Sequence, residues 1–381
     1  MNTIVIVGSG LSGITVAREL RKLDRDAPII IVTADDGDFY SKPNLSNALA
    51  AGKSPAQLAL TPAAQLATQL QAKILSHTRV DGILPAEHVL QTSAGPVSYG
   101  QLVLAVGARP IRLPLGGDAA AQVLSVNHLA DYAVFRDKLE GKQRVAILGA
   151  GLIGCEFAND LRIAGLAVDV FDLAPQPLGR LLPPGAAAFF REALEAAGVR
   201  FHFNSSIAQV EQHGACYRLS DGQGETLETD LVLSAVGLKP DSELAQAAGL
   251  QINRGIVVDR KLQTSAADIY ALGDCAEVDG MVLPFVLPIM QAARALAKTL
   301  CGEPSDVSYP AMPVVVKTPA CPAVVCPPPA GFAGAWREEV DPQGVRALFE
   351  DASGNPLGFA LLGEAVKEKQ ALTARLPKWL G

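Results

Sequence analysis

The sequence predicts an α/β protein with two nested strand–helix–strand units and a small α+β domain at the C-terminal end. Two glycine-rich turns, at 8–13 and 149–154, each follow an apolar run and precede a helical apolar period. After Pro310 the composition changes to prolines and short apolar runs, which indicates a third region. A chain of 381 residues is too long for a single core, so two or three domains are expected.

The first unit begins with an apolar, β-branched run at 3–7, which is typical of a strand buried on both faces of a parallel sheet. We predict a helix over 14–23 and a second strand over 29–32, which leads to Ala34 and Asp35. The turn that joins the first strand to the helix consists of Gly8, Ser9, Gly10, Leu11, Ser12 and Gly13.

The second unit repeats this order. Its predicted strand at 144–148 is followed by a turn, a helix over 155–164 and a second strand at 167–171 that ends at Asp172. The glycines of the turn are Gly149, Gly151 and Gly154.

Later segments close the units and form the third domain. Two similar strands, 102–110 and 231–240, both contain Val-Gly and reach a proline, so each unit is expected to end with its own strand. The remaining predicted elements are a helix from Pro288 onward, strands at 314–317 and 323–326, a hairpin around 351–354 and a final helix.

Both glycine turns predict Rossmann-like dinucleotide-binding domains. A pyrophosphate needs backbone N–H groups and a helix N-terminus, and glycine permits its close approach. Asp172 is placed to bind a ribose 2′-hydroxyl, and no arginine follows it before Arg180, so NADH is favoured over NADPH. Asp35 is the matching acid of the first unit; an ordinary exposed turn acid in 34–37 is the alternative.

Composition excludes several classes of function. The formal net charge of -7 gives no basic surface for nucleic acid. No apolar run approaches the roughly 20 residues that a membrane-spanning helix needs, so no membrane insertion is expected. The first residues do not read as an export signal, so we expect a cytoplasmic protein whose six cysteines are thiols. The five histidines show no metal-binding spacing, and no metal site is predicted.

The segment 264–274, which ends in Gly273-Asp274, completes an order of motifs that resembles the FAD-dependent pyridine-nucleotide oxidoreductases. The resemblance implies that the first unit binds FAD, the second binds NADH, and Asp274 holds a ribityl hydroxyl. It also implies three domains, with limits at 1–110 and 241–308 for a discontinuous FAD-binding domain, 111–240 for the NAD-binding domain and 309–381 for the C-terminal domain.

The electron acceptor is indicated by the stretch at 39–47. No cysteine precedes Cys155, so the thiol relay of disulfide reductases is excluded. The stretch resembles the Tyr-x-Arg/Lys-Pro-x-Leu-Ser segment of ferredoxin and rubredoxin reductases, although Asn47 stands where many ferredoxin reductases have lysine. Together with 34–37, 149–159 and 316–322, it resembles the rubredoxin–NAD reductases over the full chain.

This resemblance implies that NADH gives a hydride to FAD, and that electrons leave singly for rubredoxin, an acidic one-electron iron carrier. It implies catalytic roles for Glu156, Lys42 and Lys317 at the flavin, with surface salt bridges as the alternative for both lysines. Val80 and Val286 are expected to contact FAD through backbone groups.

Other functions remain open at this point. The first candidate function is a rubredoxin reductase, with an alkane hydroxylase as the expected downstream oxidase. A ferredoxin reductase of an oxygenase system is the second candidate, and an NADH-sensing flavoprotein that acts through partner binding is the third. Cys321 and Cys326 are expected to be free thiols and not a redox pair. The basic residues of 366–381 predict either a solvated helix face or a docking patch for an acidic partner; they are Lys367, Lys369, Arg375 and Lys378.

Overall fold

The computed structural model describes residues 3–222, 224–329 and 331–381. Its first sheet is parallel and five-stranded, and the strands lie in the order Ile269–Ala271, Gln101–Leu104, Ile4–Val7, Ile29–Val32 and Lys73–Leu75. The strand Ile269–Ala271 enters this sheet only after the chain has passed through the second sheet. The two units are therefore nested, as predicted.

The second sheet is also parallel, with four strands in the order Val199–Phe203, Ala167–Asp172, Arg144–Leu148 and Leu231–Ser234. Helices Leu129–Leu139, Leu152–Ile163 and Pro184–Ala196 belong to this unit. In the first unit, helix Leu11–Leu23 packs against helix Val286–Leu300. Helices Leu11–Leu23 and Leu152–Ile163 begin three residues before their predicted starts, because the last glycine of each turn lies inside the helix. Helix Val286–Leu300 begins two residues before its predicted start.

Each unit carries a three-stranded antiparallel crossover. The first consists of Val80–Leu84, Val89–Thr92 and Val97–Ser98, and the second of Ile207–His213, Cys216–Asp221 and Thr226–Thr229. The two Val-Gly segments then meet directly, because Ala108–Pro110 pairs antiparallel with Leu238–Pro240. Arg109 supports this contact by ion pairs of 2.7 Å to Asp241 and 2.5 Å to Glu243.

The C-terminal region forms a five-stranded antiparallel sheet in the order Val314–Val316, Ala323–Cys326, Pro356–Gly363, Gly344–Glu350 and Ala335–Asp341. The predicted hairpin is confirmed, whereas the edge strand Ala335–Asp341 was not predicted. The expected final helix is present and short: a 3-10 turn at Glu364–Glu368 leads into helix Lys369–Thr373, and Pro377 follows.

Short elements complete the chain. They are strands Phe39–Tyr40, Ala59–Thr61, Ile256–Val258 and Ala276–Val278, helices Pro55–Leu58, Ala63–Leu70 and Glu243–Ala247, and 3-10 turns Lys42–Asn47, Pro85–Glu87, Ala120–Gln122 and Gly273–Cys275.

Residues of the C-terminal region pack into the apolar cores of both parallel sheets. The limits between the three domains stay a prediction. Tyr309 and Leu380 pack into the core of the first sheet. Val316, Val325 and Val345 of the C-terminal sheet pack into the core of the second sheet. Among the residues that the structure describes, no helix is long and apolar enough to cross a membrane.

Candidate functional site

A cavity of about 2230 Å³ lies at the carboxyl ends of both parallel sheets and is lined by both glycine turns. Ligands of open α/β sheets bind at this edge, where the strand order reverses and helix N-termini converge. The cavity also receives residues of the C-terminal sheet, among them Val314, Val315 and Lys317. The three regions of the chain therefore share one site.

The first turn brings backbone N–H groups to the cavity. Gly8 has a positive φ of 110°, and a Cβ there would collide with the carbonyl oxygen of Ala105. Gly13 lies against the carbonyl of Gly8, so a side chain is excluded there as well. Gly10 caps helix Leu11–Leu23 and has open space around it. The helix N-terminus is thus accessible to a diphosphate.

The second turn repeats this geometry. Gly149 has a φ of 107°, and a Cβ there would lie 2.7 Å from the carbonyl oxygen of Ala235. Gly154 lies against the carbonyl of Gly149, and Gly151 caps helix Leu152–Ile163. The two glycine turns therefore share the same local geometry.

The predicted ribose acids both line the cavity, and Ala34 lies beside the first of them. Asp35 accepts hydrogen bonds from the hydroxyls of Ser9 at 3.1 Å and Thr33 at 2.5 Å. Asp172 accepts from the backbone N–H of Ala150 at 2.5 Å and of Ala174 at 2.7 Å. Both carboxylates are fixed at the end of a strand, as binding to a ribose requires.

Arg180 also lines the cavity. In the sequence it follows Asp172 by eight positions, so the sequence shows no arginine directly beside the acid. The loop after the strand Ala167–Asp172 folds back, so the arginine and the acid share the cavity wall.

Lys42 and Asp274 both line the cavity, although they are far apart in the sequence. Burial lowers the pKa of Lys42, and the negative charges of Asp274 and Asp131 act against this shift. Burial raises the pKa of Asp274, and the positive charge of Lys42 opposes it. Lys42 is half-buried on the cavity wall, where its charge and that of Asp274 act on each other, and its role at the flavin stays a prediction.

Glu156 lies behind the cavity wall and not on it. Its side chain is 0% exposed and is not among the residues that line the cavity, so its expected role at the flavin stays a prediction. Lys317 covers it, with Nζ 2.5 Å from Oε2 and the backbone N–H donating to Oε1 at 2.9 Å. The hydroxyl of Ser46 donates to Oε2 at 2.5 Å. Lys317 is the member of this pair that reaches the cavity.

Comparison with known proteins decides the family. Residues 2–298 match the family model described as pyridine nucleotide-disulphide oxidoreductase. The chain belongs to this family. Residues 306–376 match a second model, described as the rubredoxin binding C-terminal domain. The resemblance inferred from the motifs, the fold class and the assignment as an FAD-dependent oxidoreductase are confirmed. The cofactors of this pyridine nucleotide-disulphide oxidoreductase are FAD and NADH.

Relatives extend the match over the full chain. The protein is 49% identical over 381 residues to the rubredoxin-NAD(+) reductase of Alcanivorax borkumensis, with 99% of both chains covered. It is 47% identical over 386 residues to that of Acinetobacter baylyi, with 99% of this chain and 98% of the relative covered. A crystal structure of a ferredoxin reductase from Rhodopseudomonas palustris gives a TM-score of 0.89 at 29% identity, covering 99% of this chain and 96% of that one.

The cavity fits the two cofactors of the family. Besides the two glycine turns, it is lined by residues with buried polar atoms that have no hydrogen-bond partner among the described residues: Oδ1 of Asn127 and Oγ of Ser234. A buried polar atom without a hydrogen bond is costly, so these two atoms indicate a polar ligand. Val80 and Val286 line the cavity, and their contact with FAD stays a prediction. Val286 begins helix Val286–Leu300, whose N-terminus therefore lies at the cavity.

Several residues of the site were missed in the sequence. Tyr40 lines the cavity, accepts from the backbone N–H of Leu129 at 3.2 Å and has a pKa raised to about 12 by burial. Its place in the stretch 39–47 was a signal that could have found it. Lys369 also lines the cavity, but nothing in its local sequence indicates this.

A group of possible metal ligands lies outside the cavity. His213, Cys216 and Glu228 place one ligand atom each within 4.8 Å of one another on the second crossover sheet. The spacing of histidines did not reveal it, because Glu228 comes from another strand. Arg218 already donates to Nε2 of His213 at 2.6 Å and lies 3.5 Å from Glu228, and a neighbouring guanidinium disfavours a cation.

All six cysteines are free thiols in the structure. Cys321 and Cys326 are buried, and burial raises the pKa of each to about 12. Neither thiol is therefore an activated nucleophile, in agreement with their interpretation as free thiols.

Proposed function

We propose that this protein is an NADH-dependent rubredoxin reductase. The observation that carries the proposal is the match of residues 306–376 to the rubredoxin binding domain, combined with the entry of that region into the cofactor cavity through Lys317 and Lys369. FAD, when bound, accepts a hydride from NADH and releases electrons one at a time to a carrier. The protein residues bind, orient and stabilise charge.

On the entry side, the glycine turns hold the two diphosphates, while Asp35 and Asp172 hold ribose hydroxyls. Asp274 lines the cavity and would accept from a ribityl hydroxyl of FAD. Lys42 and Lys317 supply positive charge on the cavity wall, where negative charge on a reduced ring system is stabilised. Glu156 fixes Lys317 by two contacts, to its ammonium and to its backbone N–H.

On the exit side, apolar side chains lie exposed where the cavity opens: Val286, Leu287 and Val315. An apolar contact surface with charges around it suits a transient electron-transfer complex. Lys367, Arg375 and Lys378 are exposed in the C-terminal region and offer local positive charge in a protein of net charge -7. An acidic carrier such as rubredoxin fits this arrangement.

The cellular setting is part of the proposal. NADH is a cytoplasmic reductant, and six free thiols agree with a reducing compartment, so we place the enzyme in the cytoplasm. The downstream oxidase is proposed to be an alkane hydroxylase, and the support for this is the resemblance to rubredoxin–NAD reductases alone.

The test is rapid mixing of the NADH-reduced protein with each candidate carrier in the absence of oxygen. Fast reoxidation of the flavin by rubredoxin and slow reoxidation by a [2Fe–2S] ferredoxin is the expected result. The opposite order would favour a ferredoxin reductase, which the likeness to the Rhodopseudomonas palustris structure makes the second candidate. Slow reoxidation by both carriers would favour an NADH-sensing flavoprotein.

A further inference from the structure

Helix Leu152–Ile163 of the second unit carries three buried polar side chains on one face. Glu156, Asn159 and Asp160 are spaced as i, i+3 and i+4, so they lie side by side. Each is 3% exposed or less. Three buried polar side chains need hydrogen-bond partners, and the donors come from the first unit and from the C-terminal region.

Asp160 binds the backbone of the first unit. Its Oδ2 accepts from the N–H of Leu49 at 3.0 Å, and its Oδ1 accepts from the N–H of Ala50 at 2.9 Å. These two amides lie two and three residues after the end of the 3-10 turn Lys42–Asn47, whose first residue lines the cofactor cavity. One carboxylate thus fixes the end of the segment that carries Lys42.

The neighbours of Asp160 on the helix hold the other lysine. Glu156 binds Lys317, and Oδ1 of Asn159 accepts from the N–H of Ala320 at 3.1 Å. Glu156 also accepts from Ser46, which belongs to the Lys42 segment. A single helix face of the second unit therefore holds both segments that bring a lysine to the cavity.

We propose that Asp160 is a positioning residue for electron entry, which sets Lys42 on the cavity wall by holding the amides of Leu49 and Ala50. The proposal rests on the FAD and NADH sites of the family and not on the identity of the acceptor. Asn159 binds the Lys317 segment, and Glu156 binds both segments. Asp160 is therefore the member of the helix face whose hydrogen bonds go to the Lys42 segment and not to the Lys317 segment.

Burial disfavours the charged form of Asp160. Burial raises its pKa to about 6, and the two amides and Arg136 act against the shift. Helix Leu129–Leu139 supplies the facing groups Arg136 and Tyr132, and Glu156 lies one turn earlier on its own helix. The carboxylate accepts from both amides, whereas the protonated acid has one oxygen that donates. The hold on the segment therefore weakens below about pH 6.

Hydrogen exchange of the peptide that spans 42–53 tests this contact directly, in the FAD-loaded protein and after removal of FAD. Asp160→Asn keeps one acceptor and Asp160→Ala keeps none. We expect exchange about tenfold faster in Asp160→Asn and faster again in Asp160→Ala, while a reference peptide from 335–350 is unchanged. Asp137→Asn, which removes an exposed carboxylate from a neighbouring helix, should match wild type.

Reduction of the flavin by NADH gives the second readout. In Asp160→Asn the limiting reduction rate should fall about tenfold with an unchanged half-saturating NADH concentration, because the ribose site for NADH at Asp172 is untouched. The wild-type rate should show an inflection near pH 6 that the variant lacks. The proposal would be overturned if the Asp160 variants exchanged the peptide 42–53 at the wild-type rate or if Asp160→Asn kept the inflection near pH 6. Equally faster exchange of the reference peptide in the variants would overturn it as well. A failure of rubredoxin to accept electrons would leave each of these readouts intact.

Discussion

The ammonium of Lys317 lies 2.5 Å from a carboxylate oxygen of Glu156, and the carboxylate is fully buried while the lysine lines the cofactor cavity. The pair joins the C-terminal sheet to helix Leu152–Ile163 of the second unit. An ion pair in this position orders the lysine, because a buried carboxylate without its cation would be costly. Glu156 therefore acts through Lys317.

Glu156→Gln should slow the reduction of the flavin by NADH. The variant keeps the volume of the side chain but replaces a charge-assisted hydrogen bond worth about 1.5–3 kcal/mol, so Lys317 loses its fixed position. We expect a reduction rate at least tenfold lower in stopped-flow absorbance, with the rate of electron transfer to the carrier unchanged. Glu192→Gln, at an exposed position of another helix, is the control. An unchanged reduction rate in Glu156→Gln would show that the pair is only structural.

Asp274→Ala should release the flavin. Asp274 lies in the 3-10 turn Gly273–Cys275, and a Cβ on Gly273 would collide with Ser12, so the acid lies close to the first glycine turn. Loss of a charged acceptor for a ribityl hydroxyl costs about 1.5–3 kcal/mol, which weakens FAD binding by roughly 10- to 150-fold. Equilibrium dialysis measures the dissociation constant.

In the wild-type protein, the binding of FAD should depend on pH through Asp274. Burial raises the pKa of Asp274, so its carboxylate takes up a proton at a higher pH than an exposed aspartate does. Retention of FAD should therefore fall as the pH falls, and Asp274→Ala should lack this dependence. Full flavin content in the alanine variant would assign the ribityl contact to another residue.

Local patterns in the sequence predicted the parts of the site that depend on neighbouring residues. A glycine turn between a strand and a helix, and an acid at the end of the next strand, are short-range features, and both copies are found on the cavity wall. Lys42 and Lys317 were placed at the cavity through the resemblance, which carries tertiary information that spacing alone lacks.

The features that sequence reasoning missed depend on contacts between distant segments. Glu156 is covered by Lys317, which is 161 positions away, and Asp160 binds amides 110 and 111 positions before it. The edge strand Ala335–Asp341 was missed because most of its residues are exposed, so it lacks the apolar alternation of a half-buried strand.

Wild-type protein should prefer NADH to NADPH by tenfold or more in kcat/KM, which corresponds to about 1.4 kcal/mol. The carboxylate of Asp172 would meet the 2′-phosphate of NADPH with a like charge. Because Arg180 shares the cavity wall, the preference should shrink in Asp172→Ala and should return when Arg180→Ala is added. Equal kcat/KM values for both nicotinamides in the wild type would contradict the role of Asp172.

The last prediction concerns the exit of electrons. Lys367, Arg375 and Lys378 are exposed in the C-terminal region, whereas Lys369, which belongs to the same stretch, lines the cavity. A surface variant should therefore leave Lys369 unchanged. Lys367 already has a partner in Glu364, so the stretch is less positive than its lysines and arginine alone would make it. Even so, charge reversal at the three exposed positions changes the local field by about six charges in a protein of net charge -7.

Changing Lys367, Arg375 and Lys378 together to glutamate should lower the second-order rate of rubredoxin reduction at least tenfold, while NADH reduces the flavin normally. The wild-type rate should fall as salt rises, because exposed charges are screened beyond about 8 Å at physiological ionic strength. Glutamates at Lys22, Arg25 and Lys73, which are exposed on the first unit, give the same change in net charge and serve as the control. If both triple variants slow the carrier equally, overall charge governs the encounter and the C-terminal patch has no special role. If neither variant does so, the carrier docks on the apolar mouth formed by Val286, Leu287 and Val315, where contact and not steering sets the rate.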